Sequence, residues 1–472
     1  MNIGEYSMYI NGKAVNTDNS LHSINPSTEE KLWPAPVATS KDVDEAVETA
    51  KIASKTWGGL THQTRKDALY AYANAMEKYA AEFTEISMAE CGKPRAEAHG
   101  EILATCAWLR VTADFEIPEE VVEETDSHKT IVRYVPLGVV GAIVPWNFPI
   151  SLGAMKIVQA VMAGNAVIVK PSPFAPYALL KMVELAQRFF PPGVVQSLSG
   201  DDSLGPLITA HPGIDKISFT GSTGVGKAIY RGCADDMKRL TLELGGNDPA
   251  IIFPDVDIET IAPLIVQHAF RNTGQVCRCI KRIYVHEDIY AKFLKAMVKL
   301  TEEMTAKQTL GPLQNKMQYE RIKTYFADIE KEGWKVAVGG DVAGDPRSGG
   351  KGYFLPPTII DNPPDDSRIV VEEPFGPIVP VLSFRDEDDA IRRANNSKLG
   401  LSASVWTRDA KRGSRVAQKM EAGTVWINRH GAAGPTWSLA GHKESGLGAE
   451  WGLPGLKSMS NLQVLSFDKT LG

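Results

Sequence analysis

Cys277 stands in the string GQVC, Gly274 to Cys277, just after a segment, Ile258 to Arg271, whose apolar spacing predicts an amphipathic helix. Upstream, Glu243 ends an apolar run immediately before Leu244 and the Gly245-Gly246 pair. A thiol and a carboxylate, each at the end of an element and beside glycines that admit close backbone approach, can share one reaction. The thiol adds to an electrophilic carbon and the carboxylate takes a proton. Neither residue decides anything alone, because a single cysteine is most often a small buried hydrophobe and a glutamate before two glycines is an ordinary turn residue.

The elements that must position this pair show themselves as a change of period. Residues 1 to about 40 are turn-rich, with a hairpin expected at Tyr9 to Val15 around Asn11-Gly12. Asp42 to Trp57, His62 to Ala89 and Ala96 to Phe115 carry apolar residues every three to four positions and predict helices, with Pro94 marking a boundary. The acidic stretch Glu119 to Glu124 reads as exposed, and Thr130 to Val135 alternates as a strand.

From Gly138 the pattern becomes strand and helix in turn: GVVGAIVP, a helix over Leu152 to Ala163, then AVIVK. It continues through Pro176 to Phe190 (helix), Val194 to Ser197 (strand), Ser203 to Ala210 (helix) and Lys216 to Phe219 (strand). Apolar strands joined by helices predict a doubly wound parallel sheet. Such sheets bind ligands at the carboxyl ends of their strands, where Trp146-Asn147, Lys170 and Gly221-Ser222 fall. After Glu243 a second alternation predicts a second α/β unit: strands at Ala250 to Phe253, Arg282 to Val285 and within EEPFGPIVPVLSF, helices at Tyr290 to Glu303 and Asp386 to Asn395. Gly339 to Gly352 reads as a glycine-rich exposed loop, and Leu462 to Phe467 alternates weakly.

The strings PWNFP (Pro145 to Pro149), VIVKPSPFAP (Val167 to Pro176), FTGSTGVGK (Phe219 to Lys227), LELGG (Leu242 to Gly246), GQVC and EEPFGP (Glu372 to Pro377) follow one another in that order. With them the chain, from about Tyr9 to Gln463, resembles the non-acylating branch of the NAD(P)-dependent aldehyde dehydrogenase superfamily. The resemblance implies an α/β fold with a doubly wound cofactor domain over 1–117 and 137–243, a second α/β catalytic domain over 244–455, and a small β oligomerisation arm built from 118–136 and 456–472. It also implies oxidation of an aldehyde to a carboxylic acid with NAD or NADP, NAD being favoured, no metal, and a homodimer or homotetramer.

Residue by residue, Cys277 takes the place of the family's nucleophile and Glu243 that of its general base. Asn147 and the backbone N–H of Cys277 take the place of its oxyanion donors; losing one such donor typically costs about 3–4 kcal/mol of transition-state stabilisation. FTGSTGVGK nearly spells a nucleoside-triphosphatase phosphate loop, but Ala228 stands where Ser or Thr must hold magnesium. In the family this string places Gly221, Ser222 and the helix start on a pyrophosphate. Lys170 and Glu373 match the residues that hold the two riboses, Phe375 packs on the nicotinamide side, and Trp146, Ser172 and Gly245 complete the cofactor set. Lys156 and Glu450 match a proton-relay pair of some members, the alternative being a plain surface lysine and glutamate.

Several residues depart from the family's pattern. Pro173 stands where many NAD-preferring members carry Glu, which weakens rejection of a 2′-phosphate. Leu439 in SLAG and Met155 replace aromatic residues, and Ala449 replaces a common Arg. Room at 155 and 439 points to a bulky aromatic or long-chain aldehyde, with Phe148 and Trp437 as aromatic walls and Val276 beside the thiol. A second reading starts from Arg271, which matches an arginine that semialdehyde-oxidising relatives use to grip a carboxylate; Arg278 adds a charge nearby, while Met155 stands where those relatives carry the partner arginine. A CoA-acylating enzyme, whose members often lack the base at 243, and a non-catalytic relative are the remaining alternatives.

Bulk properties narrow the partners. The 472 residues exceed one ordinary core and predict two lobes. A net charge of −6 gives no reason to expect nucleic acid or an anionic membrane, and no apolar run is long enough to span a bilayer. MNIGEYSMYINGK lacks a secretory layout. The five cysteines do not look like a disulfide framework, and Cys277 and Cys279 are too few and too close for a zinc site. The expected setting is reducing and cytoplasmic, with a small-molecule aldehyde as the partner and no nucleic acid or membrane.

Overall fold

The computed structural model describes residues 2–347 and 350–470; Met1, Ser348, Gly349, Leu471 and Gly472, which fall in the expected first domain, loop and arm, lie outside the described residues. Strands Val195–Ser197, Ala166–Lys170, Val139–Ile143, Lys216–Thr220 and Arg239–Glu243 lie side by side in that order, all parallel. Antiparallel strands close both edges: the Met8–Ile10 and Lys13–Val15 hairpin beside Val195–Ser197, and Gly446–Leu447 beside Arg239–Glu243. All of Ala166–Lys170 and Lys216–Thr220 is buried, as expected when helices cover both faces.

The covering helices begin where local chemistry dictates. Ser40–Gly58 opens on a capping box in which Thr39 and Asp42 satisfy each other's backbone N–H. Pro149–Met162 opens on its proline, whose missing N–H costs nothing at that position. Gly153 lets this helix approach Tyr177–Ala186 closely, since a Cβ there would lie 2.1 Å from Leu179 Cδ2.

A second sheet runs Val336–Val338, Thr358–Asp361, Ile378–Phe384, Ile280–His286, Asp248–Ile252, Ser402–Trp406, Thr424–Ile427, parallel except for its first pair. A third, three-stranded sheet places His128–Pro136 between Glu120–Glu124 and Ser460–Asp468, both antiparallel to it.

Some local expectations change. His62 to Ala89 is two helices, His62–Lys78 and Ala80–Cys91, broken at Tyr79 (φ −100°, ψ 20°), because continuous apolar spacing does not report a change at one backbone dihedral. The acidic stretch is exposed, as expected, but forms a strand; its run of glutamates suits a sheet edge, where like charges discourage further pairing. Helices Lys316–Lys331 and Ala410–Gln418, rich in charged residues, were not anticipated.

Register brings the candidate residues to one level. Ile143 pairs with both Lys170 and Phe219, and Thr220 pairs with Glu243, so Lys170, Glu243 and the loops after Ile143 and Thr220 share the carboxyl edge of the first sheet. Asp248 pairs with Ile280 at the amino edge of the second. The edges meet where Trp146 contacts Phe375, ring centroids 5.6 Å apart at 86°.

Candidate active site

Cys277 follows helix Ile258–Phe270 on a turn that folds back sharply. Asn272, Thr273 and Gly274 have φ of 48°, 59° and 76°. For a β-branched threonine that conformation costs on the order of 1–3 kcal/mol and survives only where the surroundings enforce it. Here Thr273 Oγ1 donates to Gly311 O at 2.8 Å. Gln275 Nε2 donates to Asn272 O at 3.0 Å while its Oε1 accepts from Gln314 N at 2.8 Å. Position 274 requires glycine, since a Cβ would stand 2.1 Å from Gly376 O.

Beyond the turn, Lys281 Nζ donates to the carbonyls of Val276 and Cys277, each at 2.8 Å. Asn147 Nδ2 donates to Gln275 O at 2.9 Å, which sets it two residues from the thiol. Cys277 itself is half-buried, and burial pushes its thiol up to about 11 against the pull of Arg278 and Lys281. Cys279 is buried, its Sγ 3.6 Å from the Arg271 carbonyl, and burial pushes it up to about 12. This is the environment of an inert thiol.

Glu243 is 3% exposed, and neither carboxylate oxygen has a hydrogen-bond partner among the described residues. Burial, then the Glu450 carboxylate, hold it well above the usual carboxylate range, while Lys156 and Arg278 pull it back. The Lys156–Glu450 pair is not on the surface: Nζ lies 2.5 Å from Oε1 with both side chains fully inaccessible, and Lys156 also donates to Ser218 Oγ at 3.1 Å.

The expected cofactor residues line the same seam. Lys170 is 5% exposed, and its ammonium donates among the described residues to the adjacent Pro171 carbonyl, at 3.3 Å; burial lowers its pKa while Asp202 and Asp201 resist. Ser172 is buried beside it. Ser222 caps helix Thr223–Gly232, its Oγ accepting from Val225 N at 3.4 Å. A Cβ on Gly221 would meet the Phe219 ring, and one on Gly245 would stand 2.4 Å from Glu373 Oε2. Glu373 Oε1 is 3.1 Å from Lys281 Nζ, and Phe375 holds φ 58° against Trp146. A buried lysine with donors to spare, a carboxylate for sugar hydroxyls, a helix start for phosphate and a glycine-lined floor fit a nicotinamide dinucleotide.

Around the thiol, Met155, Leu401, Leu439 and Trp451 form a small buried cluster with Trp108 and Cys277 packed against it. Leu439 is held by paired backbone bonds to Glu450, 2.7 and 2.8 Å. Trp451 stands edge-on to Trp108 at 5.0 Å, and the Arg278 guanidinium lies 4.8 Å from its ring. Val276 is half-buried beside the thiol. Phe148 contacts the side chains of Lys93 (3.8 Å) and Arg271 (5.7 Å), the latter exposed.

Trp437 is not drawn in; it is 38% exposed and packs on Arg429. Sequence reasoning missed Trp108, Trp451, Lys281 and His430, whose Nε2 is 2.9 Å from the Arg278 carbonyl. Trp451 follows the matched Glu450 directly and could have been noticed there. Lys281 sits in an apolar strand and His430 beyond any matched string, so neither left a signal.

With this geometry in place, likeness to known proteins becomes informative. The sequence profile of the aldehyde dehydrogenase family matches residues 14–465. An aldehyde dehydrogenase of a Fusarium species is 43% identical, covering 98% of this chain and 99% of that one. An aldehyde dehydrogenase of Agaricus bisporus is 35% identical over 97% and 94%. The solved structure of aldehyde dehydrogenase from Bacillus cereus in complex with NAD+ has a TM-score of 0.94 at 36% identity, over 98% of this chain and 97% of that one. Betaine aldehyde dehydrogenase from Staphylococcus aureus in complex with NAD+ has a TM-score of 0.94 at 29% identity, over 100% and 96%. The chain belongs to the aldehyde dehydrogenase family and is an oxidoreductase acting on the aldehyde group.

Proposed function

We propose that the chain oxidises a bulky aromatic or long-chain aldehyde to its carboxylic acid, with NAD or NADP as cofactor and NAD favoured. The observation that carries this reading is the apolar, tryptophan-rich cluster of Met155, Leu439, Trp451 and Trp108 packed beside Cys277. The nicotinamide, when bound, supplies the acceptor for the hydride that leaves the aldehyde carbon. Cys277 adds through sulfur to that carbon and gives a thiohemiacetal, whose oxyanion Asn147 Nδ2 and the Cys277 N–H stabilise. Water cleaves the thioester that follows oxidation, and Glu243 takes its proton. A carboxyl held above its usual range is suited to that work near neutral pH. Lys170, Ser172, Gly221, Ser222, Gly245, Glu373, Phe375 and Trp146 hold the cofactor.

Residues 1–117 with 137–243 form the cofactor domain and 244–455 the catalytic domain in this reading. The segments 118–136 and 456–472 form the arm through which two or four copies assemble; exposed Val121, Val122, Leu462, Val464 and Phe467 on that small sheet support it. Five free cysteines support a reducing, cytoplasmic setting. A panel of aldehydes assayed with each cofactor tests the substrate class. Cys277→Ala abolishes turnover, and Glu243→Gln leaves one burst of reduced cofactor and then stalls. Turnover by Cys277→Ala at the parent rate would overturn the assignment.

A further inference from the structure

We propose that Arg278 is a substrate-anchoring residue that grips a carboxylate on the aldehyde, so that the preferred substrate joins an apolar aromatic body to an anionic group. The inference rests on the aldehyde-oxidising reading and deepens it.

A guanidinium cannot shed its charge in a protein, and its five N–H donors seek acceptors. Arg282, 1% exposed, shows the usual solution: its three nitrogens donate to the carbonyls of Asn247, Arg393 and Ala394. Arg278, next to the nucleophile and half-buried, has no hydrogen bond or ion pair from its guanidinium among the described residues. One face of it rests on Trp451 at 4.8 Å. The nitrogen edge is left without an acceptor.

The carboxylates that act on it are otherwise occupied. Asp248 accepts from Ser402 N, at 3.1 Å, and from Ser402 Oγ. Glu243 is needed as a base, and burial and Glu450 hold it toward its neutral form.

The backbone of Arg278 is nevertheless fixed by a dedicated chain. Trp406 Nε1 donates to Ser404 Oγ at 3.0 Å, Ser404 Oγ lies 3.0 Å from His430 Nδ1, and His430 Nε2 lies 2.9 Å from the Arg278 carbonyl. An indole only donates, a carbonyl only accepts and a neutral imidazole carries one N–H, so the directions follow for a neutral His430. The Ser404 hydroxyl donates to Nδ1 and Nε2–H donates to Arg278. His430 is neutral here, and burial, with His268 beside it, holds it well below its ordinary range. The residue whose position is enforced this way is the one whose guanidinium lacks a hydrogen-bond acceptor among the described residues, which is the arrangement of a preorganised anchor. Arg271, by contrast, is exposed, and Glu97 acts on it electrostatically.

Benzaldehyde and its 2-, 3- and 4-carboxy derivatives test the proposal. Wild type prefers at least one carboxybenzaldehyde over benzaldehyde by tenfold or more in kcat/KM. Arg278→Met cuts that preference at least tenfold, mainly through KM, and Arg278→Lys restores part of it. Benzoate, read by tryptophan quenching without turnover, binds wild type at least tenfold tighter than Arg278→Met. A wild type that favours benzaldehyde over all three derivatives, or equal benzoate affinity in the two proteins, overturns the anchor. Failure of wild type to oxidise any aldehyde would instead sink the proposed function, and the benzoate measurement would still judge Arg278.

Discussion

Lys156 and Glu450 meet at 2.5 Å with neither side chain reaching solvent, and their pair acts electrostatically on Glu243 from inside the fold. Removing one partner strands a charge. Lys156→Met should therefore destabilise the chain by about 3–5 kcal/mol, whereas Lys156→Met with Glu450→Leu should recover most of the loss. Because Lys156 pulls Glu243 down, the single variant should also move the limb of the kcat profile that reports Glu243 ionisation to higher pH. Thermal melts and pH profiles of both variants check this; an unchanged melting temperature in the single variant counts against the buried pair.

The thiol makes a second expectation about pH. Cys277 is pushed up to about 11, so the reactive thiolate is a small fraction near neutrality. Iodoacetamide labelling of the enzyme free of cofactor should quicken about tenfold per pH unit from 7 to 10. A plateau reached below pH 9 would show that the thiol ionises more easily than its burial implies.

Asp248 works through stability. Burial holds its carboxyl up to about 7 from an ordinary 3.8. Between those values the folded chain keeps a proton that the unfolded chain has lost, so stability from this site is present below about pH 4 and disappears as pH rises through 7, at up to ~1.4 kcal/mol per unit. Asp248→Asn should flatten the decline in melting temperature between pH 5 and 8. A decline as steep as wild type's would remove Asp248 as its source.

For cofactor choice the position to test is Pro173, three residues after Lys170. With no carboxylate there to repel a 2′-phosphate, the preference between NAD and NADP should be shallow, and Pro173→Glu should shift it toward NAD by about 1–3 kcal/mol. A wild-type preference beyond about a thousandfold, roughly 4 kcal/mol, contradicts this.

Leu439 tests the volume beside the thiol. It is 4% exposed within the cluster that includes Met155 and Trp451. An aromatic ring burying on the order of 100 Å² there would gain roughly 2.5 kcal/mol over acetaldehyde. Leu439→Phe should raise KM for aromatic aldehydes and spare small ones; equal effects on both would place the substrate elsewhere.

The parallel strands and the carboxyl edge where their candidate residues gather were legible because apolar runs and helical spacing are local properties. That Asn147 lies near the Cys277 turn was implied only through two matched strings, since nothing in either segment reports the other's position; its bond to the Gln275 carbonyl was not read from the sequence. On the substrate side, Trp437 is 38% exposed and packs on Arg429, while Trp451 is 6% exposed on a backbone at φ 66° that spacing cannot foretell. Lys281 was hidden for a similar reason: a lysine in an apolar strand reads as an edge charge until the carbonyls of Val276 and Cys277 are seen to converge on it.

The sheet that pairs His128–Pro136 with Ser460–Asp468 bears on how the chain is made as well as how it ends. Thr130 and Ser466, partners in that ladder, are 336 residues apart in sequence. During synthesis at about 5–20 residues per second, strand 128–136 therefore waits tens of seconds with one edge open. Closing that gap is among the most non-local events available to the chain, and non-local pairing is slow. The interval is when a nascent copy is most exposed to pairing with the wrong strand, and truncation before Ser460 would make the exposure permanent.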